Sequence, residues 1–139
     1  MNGSFCGALG FAFNLEELDL TGNVNVGDDG LSLLTKGDVK DEKGHSTFVG
    51  LQKLRILKLS GLSKMTDHTL LKIVNTSHAV EHIELTKCEG LTEYSISQII
   101  QACNTLKFID LNNIPVITPA VLETLRQAKP DLLIRRFLY

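Results

Sequence analysis

Residues 80–111, VEHIELTKCEGLTEYSISQIIQACNTLKFIDL, decide the fold: they read as a strand, a tight turn, a helix and the start of a second strand. Ile83 and Leu85 alternate with His82, Glu84 and Thr86, the period of a strand with one buried face. Ile96, Ile99 and Ile100 fall on one face of a helix. Leu106, Ile109 and Leu111 then repeat the spacing of Val80, Ile83 and Leu85 at an interval of 26 residues.

The same unit recurs along the chain. Its first apolar position is held by Leu15, Leu54, Val80, Leu106 and Leu132; the last three intervals are 26 residues and the first is 39. Three positions on stand Leu18, Leu57, Ile83 and Ile109, and five positions on stand Leu20, Leu59, Leu85 and Leu111. In the final unit this register puts Arg135 and Phe137 at those two positions, predicting a polar residue that closes the stack while Phe137 keeps a core place. Leu70, Ile73 and Val74 repeat the helical face of Ile96, Ile99 and Ile100. Thr66, Thr92 and Thr118 stand just before the helices, where a hydroxyl accepts from an orphan backbone N–H. Pro119 occupies the favoured first helical position. Gly27 replaces the threonine in the first unit, so Asp28 or Asp29 is expected to cap there. A single strand–helix unit cannot bury both its faces, so the units must stack side by side. The expected fold is an α/β solenoid of five parallel strands near residues 16–21, 55–60, 81–86, 107–112 and 133–137, with four helices between them.

The pattern resembles the leucine-rich repeats, in their cysteine-containing subtype of 26 residues. Leu54/Leu57/Leu59 and Val80/Ile83/Leu85 match LxxLxL, Thr66–Asp67 matches the Thr–Asp pair, and Cys88 and Cys103 stand where that subtype often carries cysteine. Asn23, Leu62 and Ile114 take the Cys88 position in the other units. The resemblance covers Leu15 to about Leu132. It implies a short horseshoe with strands on the concave side and helices on the convex side. It also implies Cys88 and Cys103 as buried, unbridged packing thiols at the interior-facing turns. Such repeats are familiar from leucine-rich-repeat F-box proteins, which are substrate adaptors of ubiquitin ligases, and from the related antagonist of mitotic exit network protein.

The units divide the chain into an N-terminal partial cap (1–14), repeat 1 (15–35), an inserted segment (36–50), repeat 2 (51–79), repeat 3 (80–105), repeat 4 (106–131) and a terminal strand (132–139). The insertion, KGDVKDEKGHSTFVG, reads from its glycine and mixed charge as a mobile surface loop. At the N-terminus, Leu9, Phe11 and Phe13 are too few for a full repeat but apolar enough for a lid. The chain is therefore expected either to belong to a longer repeat protein or to dock this end on a partner or a second copy.

Composition narrows the function classes. Net charge is −2, from 14 basic and 16 acidic residues, without the basic footprint of a nucleic-acid binder. No apolar run approaches a membrane span. The three cysteines lack a CxxC spacing, which favours an intracellular, cytoplasmic or nuclear setting over a disulfide framework. His45, His68, His78 and His82 form no HExxH, and neither GxxxxGKS nor GxSxG is present. No catalytic residue, metal site or cofactor is expected.

What remains is the open face of the sheet, at positions two, four and six of each unit. The first column reads Glu17, Ile56, His82, Phe108 and Ile134. The second reads Asp19, Lys58, Glu84, Asp110 and Arg136, with pairs expected between Asp19 and Lys58, Lys58 and Glu84, and Asp110 and Arg136. The third reads Thr21, Ser60, Thr86, Asn112 and Leu138. Large apolar residues at Ile56, Phe108 and Ile134 suggest a contact strip. The expected function is a non-catalytic protein-interaction module that binds a protein partner through Ile56, Lys58, His82, Glu84, Phe108, Asp110, Ile134 and Arg136. A substrate-recognition part of a ubiquitin ligase is one form of it. The alternative is a structural subunit or fragment packed in a larger assembly through its ends.

Overall fold

Alternating apolar and polar side chains give short strands, and isoleucine–leucine faces at helical spacing give the helices between them. The computed structural model describes residues 14–35, 38–40, 42–48, 51–77 and 79–137. The N-terminal lid proposed from Leu9, Phe11 and Phe13 lies outside the described residues, as do His78 and Leu138. In chain order the elements are β1 (Glu17–Asp19), α1 (Asp28–Leu31, continued by a 3-10 turn at Ser32–Thr35), β2 (Asp38–Lys40), β3 (Ser46–Phe48), β4 (Ile56–Lys58), α2 (Asp67–Thr76), β5 (His82–Glu84), α3 (Glu93–Ala102), β6 (Phe108–Asp110), α4 (Pro119–Ala128) and β7 (Leu133–Arg135).

Five strands form one parallel sheet in the order β1-β4-β5-β6-β7. Each helix returns the chain to the same end of the sheet, which parallel pairing requires. Leu18, Leu57, Ile83, Ile109 and Ile134 stand side by side at the strand centres and all are buried. Behind them Leu20, Leu59, Leu85 and Leu111 meet Leu70, Ile73, Ile96 and Ile99 of the helices, making one continuous core.

The turn after each strand needs a positive φ. Gly22 (φ 82°) and Gly61 (φ 83°) supply it without steric cost, while Lys87 (63°) and Asn113 (57°) adopt it with a side chain present. Turns stack as the strands do: Gly61 N–H donates to the Thr86 carbonyl and Lys87 N–H to that of Asn112. At Gly90 a Cβ would stand 2.5 Å from the Met65 carbonyl oxygen, so the backbones of neighbouring turns touch there.

The threonines before the helices act mainly between repeats. Thr66 sits at the N-cap of α2, but its hydroxyl donates to the Asp28 carboxylate, which also accepts the Thr66 N–H at 2.9 Å. Asp67 likewise accepts from the hydroxyl and N–H of Thr92 and from the Ser95 hydroxyl. Thr92 and Thr118 also accept from Tyr94 N–H (3.2 Å) and Val121 N–H (3.3 Å), as expected of caps. Asp28 does not cap its own helix: the N-cap is Gly27, without a side-chain bond. Its carboxylate is spent on the next repeat.

Two expectations are corrected. The insertion holds an antiparallel ribbon in which Val39 faces Thr47, with Gly44 at φ 82° in the turn. β-Branched residues on both arms and a glycine between them favour a hairpin over an irregular loop. The second correction concerns β7. Phe108 pairs with Leu133, Ile109 with Ile134 and Asp110 with Arg135, an interval of 25 because the turn after α4 is one residue shorter. A one-residue slip exchanges the two faces of a strand. Ile134, expected on the open face, is therefore core, and Leu133 is 62% exposed. Arg136 takes the place of the buried leucines, and its guanidinium donates to the carbonyls of Ile117 (3.3 Å) and Phe137 (2.8 Å). The polar closing residue is thus Arg136, not Arg135, and Phe137 is 56% exposed, not a core residue.

This register has a direct test. Ile134→Ala is expected to cost about 2–5 kcal/mol in urea unfolding, as a core truncation. Leu133→Ala should stay within about 0.5 kcal/mol. The reverse order of the two effects would restore the 26-residue register.

The Asp28–Thr66 contact also has a pH signature. Burial pushes the Asp28 carboxyl up, but the bonds from the Thr66 hydroxyl and N–H outweigh it and hold the group below its ordinary range. A depressed folded value means stability that is present above an unfolded value of about 3.9 and lost as pH falls through the folded one. Wild type should therefore be more stable than Asp28→Asn at neutral pH. The gap should close in unfolding curves taken progressively below pH of about 4.

Candidate functional site

The open face of the sheet is built by residues that neighbour a buried leucine or isoleucine in each strand. The first column is Glu17, Ile56, His82, Phe108 and Leu133, laterally paired in that order. Ile56, His82 and Phe108 are half-buried. The His82 and Phe108 rings stack at 4.4 Å between centroids with 17° between planes. The Arg135 guanidinium carbon lies over the Phe108 ring, 5.3 Å from its centroid, within cation–π range. Ile56, His82, Phe108 and Leu133 thus make one strip across four strands.

The second column is Asp19, Lys58, Glu84, Asp110 and Arg135. The Lys58 ammonium lies 3.5 Å from Glu17 and 4.0 Å from Glu84. The pairing expected with Asp19 is replaced by the diagonal contact to Glu17. The Asp19 carboxylate instead accepts the Thr21 N–H at 2.9 Å. Hydrogen bonding by Thr21 holds its carboxyl below the ordinary range, with Lys58 adding a smaller pull. Asp110 is buried and pairs with Arg135 through Nε at 2.9 Å and through Nη2, while its other oxygen accepts the Asn112 N–H. The partner of Asp110 is therefore Arg135, where the longer register names Arg136. Glu84 stands between His82 Nε2 (3.7 Å), Arg135 Nη2 (3.7 Å) and Lys58, touching none at hydrogen-bond distance. His82 Nε2 is buried without a hydrogen-bond partner.

The third column supports the turns. Ser60 Oγ accepts the Thr86 N–H at 3.1 Å, and Asn112 Oδ1 accepts the Phe137 N–H at 2.7 Å. Phe137 follows Asn112 in this column. A flanking ladder of Glu16, Arg55, Glu81 and Lys107 runs along the sheet edge, with Glu81 held below its usual range by Lys107 and Arg55. These pairs are solvated and of small energetic value.

Of the residues named from sequence, Ile56, Lys58, His82, Glu84, Phe108 and Asp110 come together on this face, and Ile134 and Arg136 do not. Sequence reasoning missed Leu133, Arg135 and Phe137. The Leu132–Leu133 doublet carried the signal, because it admits both registers while only the shorter one places an isoleucine at the strand centre.

The cysteines lie elsewhere. Cys88 is buried, its Sγ donating to the Leu59 carbonyl at 3.1 Å, and burial pushes its thiol up to about 11. Cys103 is only half-buried, against an expectation of full burial, and both thiols are free. Ser77 takes the equivalent place one repeat earlier and donates to the Leu51 carbonyl at 2.9 Å. A cleft of about 220 Å³ between the ends of α2 and α3 is lined by Val74, Ser77, Ile99 and Cys103. It falls below the ~300–1,000 Å³ of small-molecule sites. Among the described residues, no cluster of His, Cys, Asp and Glu could hold a metal ion, and no helix is long and apolar enough to cross a membrane.

In comparison with known proteins, the chain matches no family model, and no curated protein matches its sequence. Its fold is similar to a chain in the crystal structure of the Rad7 and Elc1 complex in yeast, with a TM-score of 0.59 and 15% sequence identity. That alignment covers 99% of this chain and 40% of the other, so the chain spans less than half of the length of that protein. The shared architecture is the leucine-rich-repeat fold, five parallel strands alternating with helices.

The two thiols should separate by reactivity. In a Cys6→Ser background, a disulfide-exchange reagent at neutral pH should label Cys103 faster than Cys88, because a buried neutral thiol is inert. Equal or reversed labelling in the folded chain would contradict the burial of Cys88.

Proposed function

We propose that this chain is a non-catalytic leucine-rich-repeat module of the cysteine-containing subtype that holds a segment of a protein partner on its concave sheet. The observation that carries this reading is the strip of Ile56, His82, Phe108 and Leu133 across four adjacent strands, with Leu133 62% exposed. Aromatic and aliphatic side chains rimmed by charges are the anatomy of a contact surface. The binding set is Ile56, Lys58, His82, Glu84, Phe108, Asp110, Leu133 and Arg135. Asp110 acts from below, fixing the Arg135 guanidinium over Phe108.

The wider setting rests on resemblance. Leucine-rich-repeat F-box proteins are substrate adaptors of ubiquitin ligases, and the similar fold of the Rad7 chain is seen in complex with Elc1. Both support a subunit that works by holding other proteins, with substrate recognition for a ubiquitin ligase as the specific form. A second reading, a structural piece packed through its end, draws support from Phe137 and Leu133, both exposed beside the last strand of the sheet.

Affinity purification of the intact chain with identification of co-purifying proteins, repeated with Phe108→Ala and with Phe137→Ala, separates the two. Loss of partners in Phe108→Ala alone supports concave recognition. Loss confined to Phe137→Ala supports packing through the end. Partners kept by both variants would remove the ground for either surface.

A further inference from the structure

The concave face is graded from one end to the other. At the β6–β7 end lie Phe108 and Leu133, with Phe137 in the third column; the cation between them, Arg135, is already engaged by Asp110 and Glu84. At the β1–β4 end, Glu17 and Asp19 face a single ammonium, that of Lys58, whose other contact is Glu84 of β5. Glu17 and Asp19 are both exposed, and Asp19 is fixed in place by the Thr21 N–H. One lysine, itself shared with Glu84, cannot neutralise both Glu17 and Asp19, so the first two columns taken together carry surplus negative charge at that end, while Thr21 and Ser60 leave the third column neutral. The apolar end carries none to spare.

We infer that the occupant of this face is an extended peptide segment carrying a lysine or arginine over Glu17 and Asp19 and a large aliphatic or aromatic side chain over Phe108 and Leu133. The inference rests on the concave-binding reading and adds the chemistry of the partner to it. Charge complementarity selects the basic residue: a cation there meets the carboxylates of Glu17 and Asp19, whereas an acidic residue would meet two like charges. The apolar residue covers Leu133 and the exposed rim of the His82–Phe108 stack, where water is displaced from carbon on both sides. Geometry sets the spacing. Neighbouring strands are about 4.8 Å apart, so β1 and β6 are separated by about 14 Å and β1 and β7 by about 19 Å. An extended chain rises about 3.3 Å per residue, which places the basic and apolar residues about four to six positions apart. The segment crosses the strands, so it needs no free sheet edge.

Selection from a displayed random twelve-residue peptide library on the intact chain tests this, followed by fluorescence polarisation with the enriched peptides. The expected peptides carry a lysine or arginine four to six positions from a leucine, isoleucine, phenylalanine or similar residue. Their affinity should fall by about tenfold or more with Phe108→Ala. A Glu17→Lys/Asp19→Lys variant should weaken the same peptides by a comparable factor and flatten the salt dependence of binding. Peptides lost with Phe108→Ala but indifferent to Glu17→Lys/Asp19→Lys would overturn the basic-residue assignment and leave concave binding standing. Peptides indifferent to both would sink the two readings together. Enrichment of acidic peptides, or no enrichment at all, would overturn the inference. So would sedimentation showing self-association that Phe108→Ala disrupts, because the occupant would then be a second copy of the chain. Circular dichroism of each variant must match wild type. If Phe108→Ala unfolds, Phe108→Leu with Leu133→Asp replaces it, because these alter the strip at an exposed residue.

Discussion

Everything in this molecule depends on lateral contact between like positions of successive repeats. A three-residue strand has no stability alone, and a helix of ten residues is marginal in water. Stacked at the spacing of a parallel sheet, each unit completes its neighbour: Leu57, Ile83 and Ile109 touch in a row, and so do Leu59, Leu85 and Leu111. The same spacing tolerates no Cβ at Gly90, where Met65 and Ser63 carbonyls approach. It also places Asp28 and Asp67 within reach of the threonine of the next repeat. Stability of this kind is a sum of nearest-neighbour interfaces, with the ends of the stack as its weakest places.

That constraint also writes the open face of the sheet. Residues far apart in sequence are brought side by side, so the side chains between the buried positions form continuous columns. His82 stacks on Phe108, and Arg135 covers Phe108 because Asp110 beneath it orients the guanidinium. A planar guanidinium held by two N–H donors on one carboxylate oxygen keeps its position on an aromatic face better than an ammonium would. The result is a rigid platform on sheet elements, suited to holding an extended segment without rearrangement.

The last strand departs from the repeat in one respect. Arg136 stands where the other units have a buried leucine, and its guanidinium donates to the carbonyls of Ile117 and Phe137. Its head bonds backbone, a use of arginine that leucine cannot imitate. The polar position here bonds backbone, and it is distinct from Arg135, one residue earlier, which lies on the open face over Phe108.

Periodicity alone determined the five strands of the parallel sheet, their order and most of the core, because leucine and isoleucine at fixed offsets have few other ways to be buried. It also determined most of the concave face: Ile56, Lys58, His82, Glu84, Phe108 and Asp110 follow directly from alternation. Tertiary structure decided the rest. Whether Leu133 or Ile134 enters the core depends on the length of one turn, and the Leu132–Leu133 doublet satisfies either choice locally. Only packing of Ile134 against Ile109 breaks the tie, and with it every contact of Arg135 and Arg136 is reassigned. The threonine–aspartate contacts were likewise hidden, because a hydroxyl that can cap its own helix can equally donate to a carboxylate of the preceding repeat. Position in the stack makes that choice, since only a carboxylate from the neighbouring unit can accept both the hydroxyl and the N–H of Thr66.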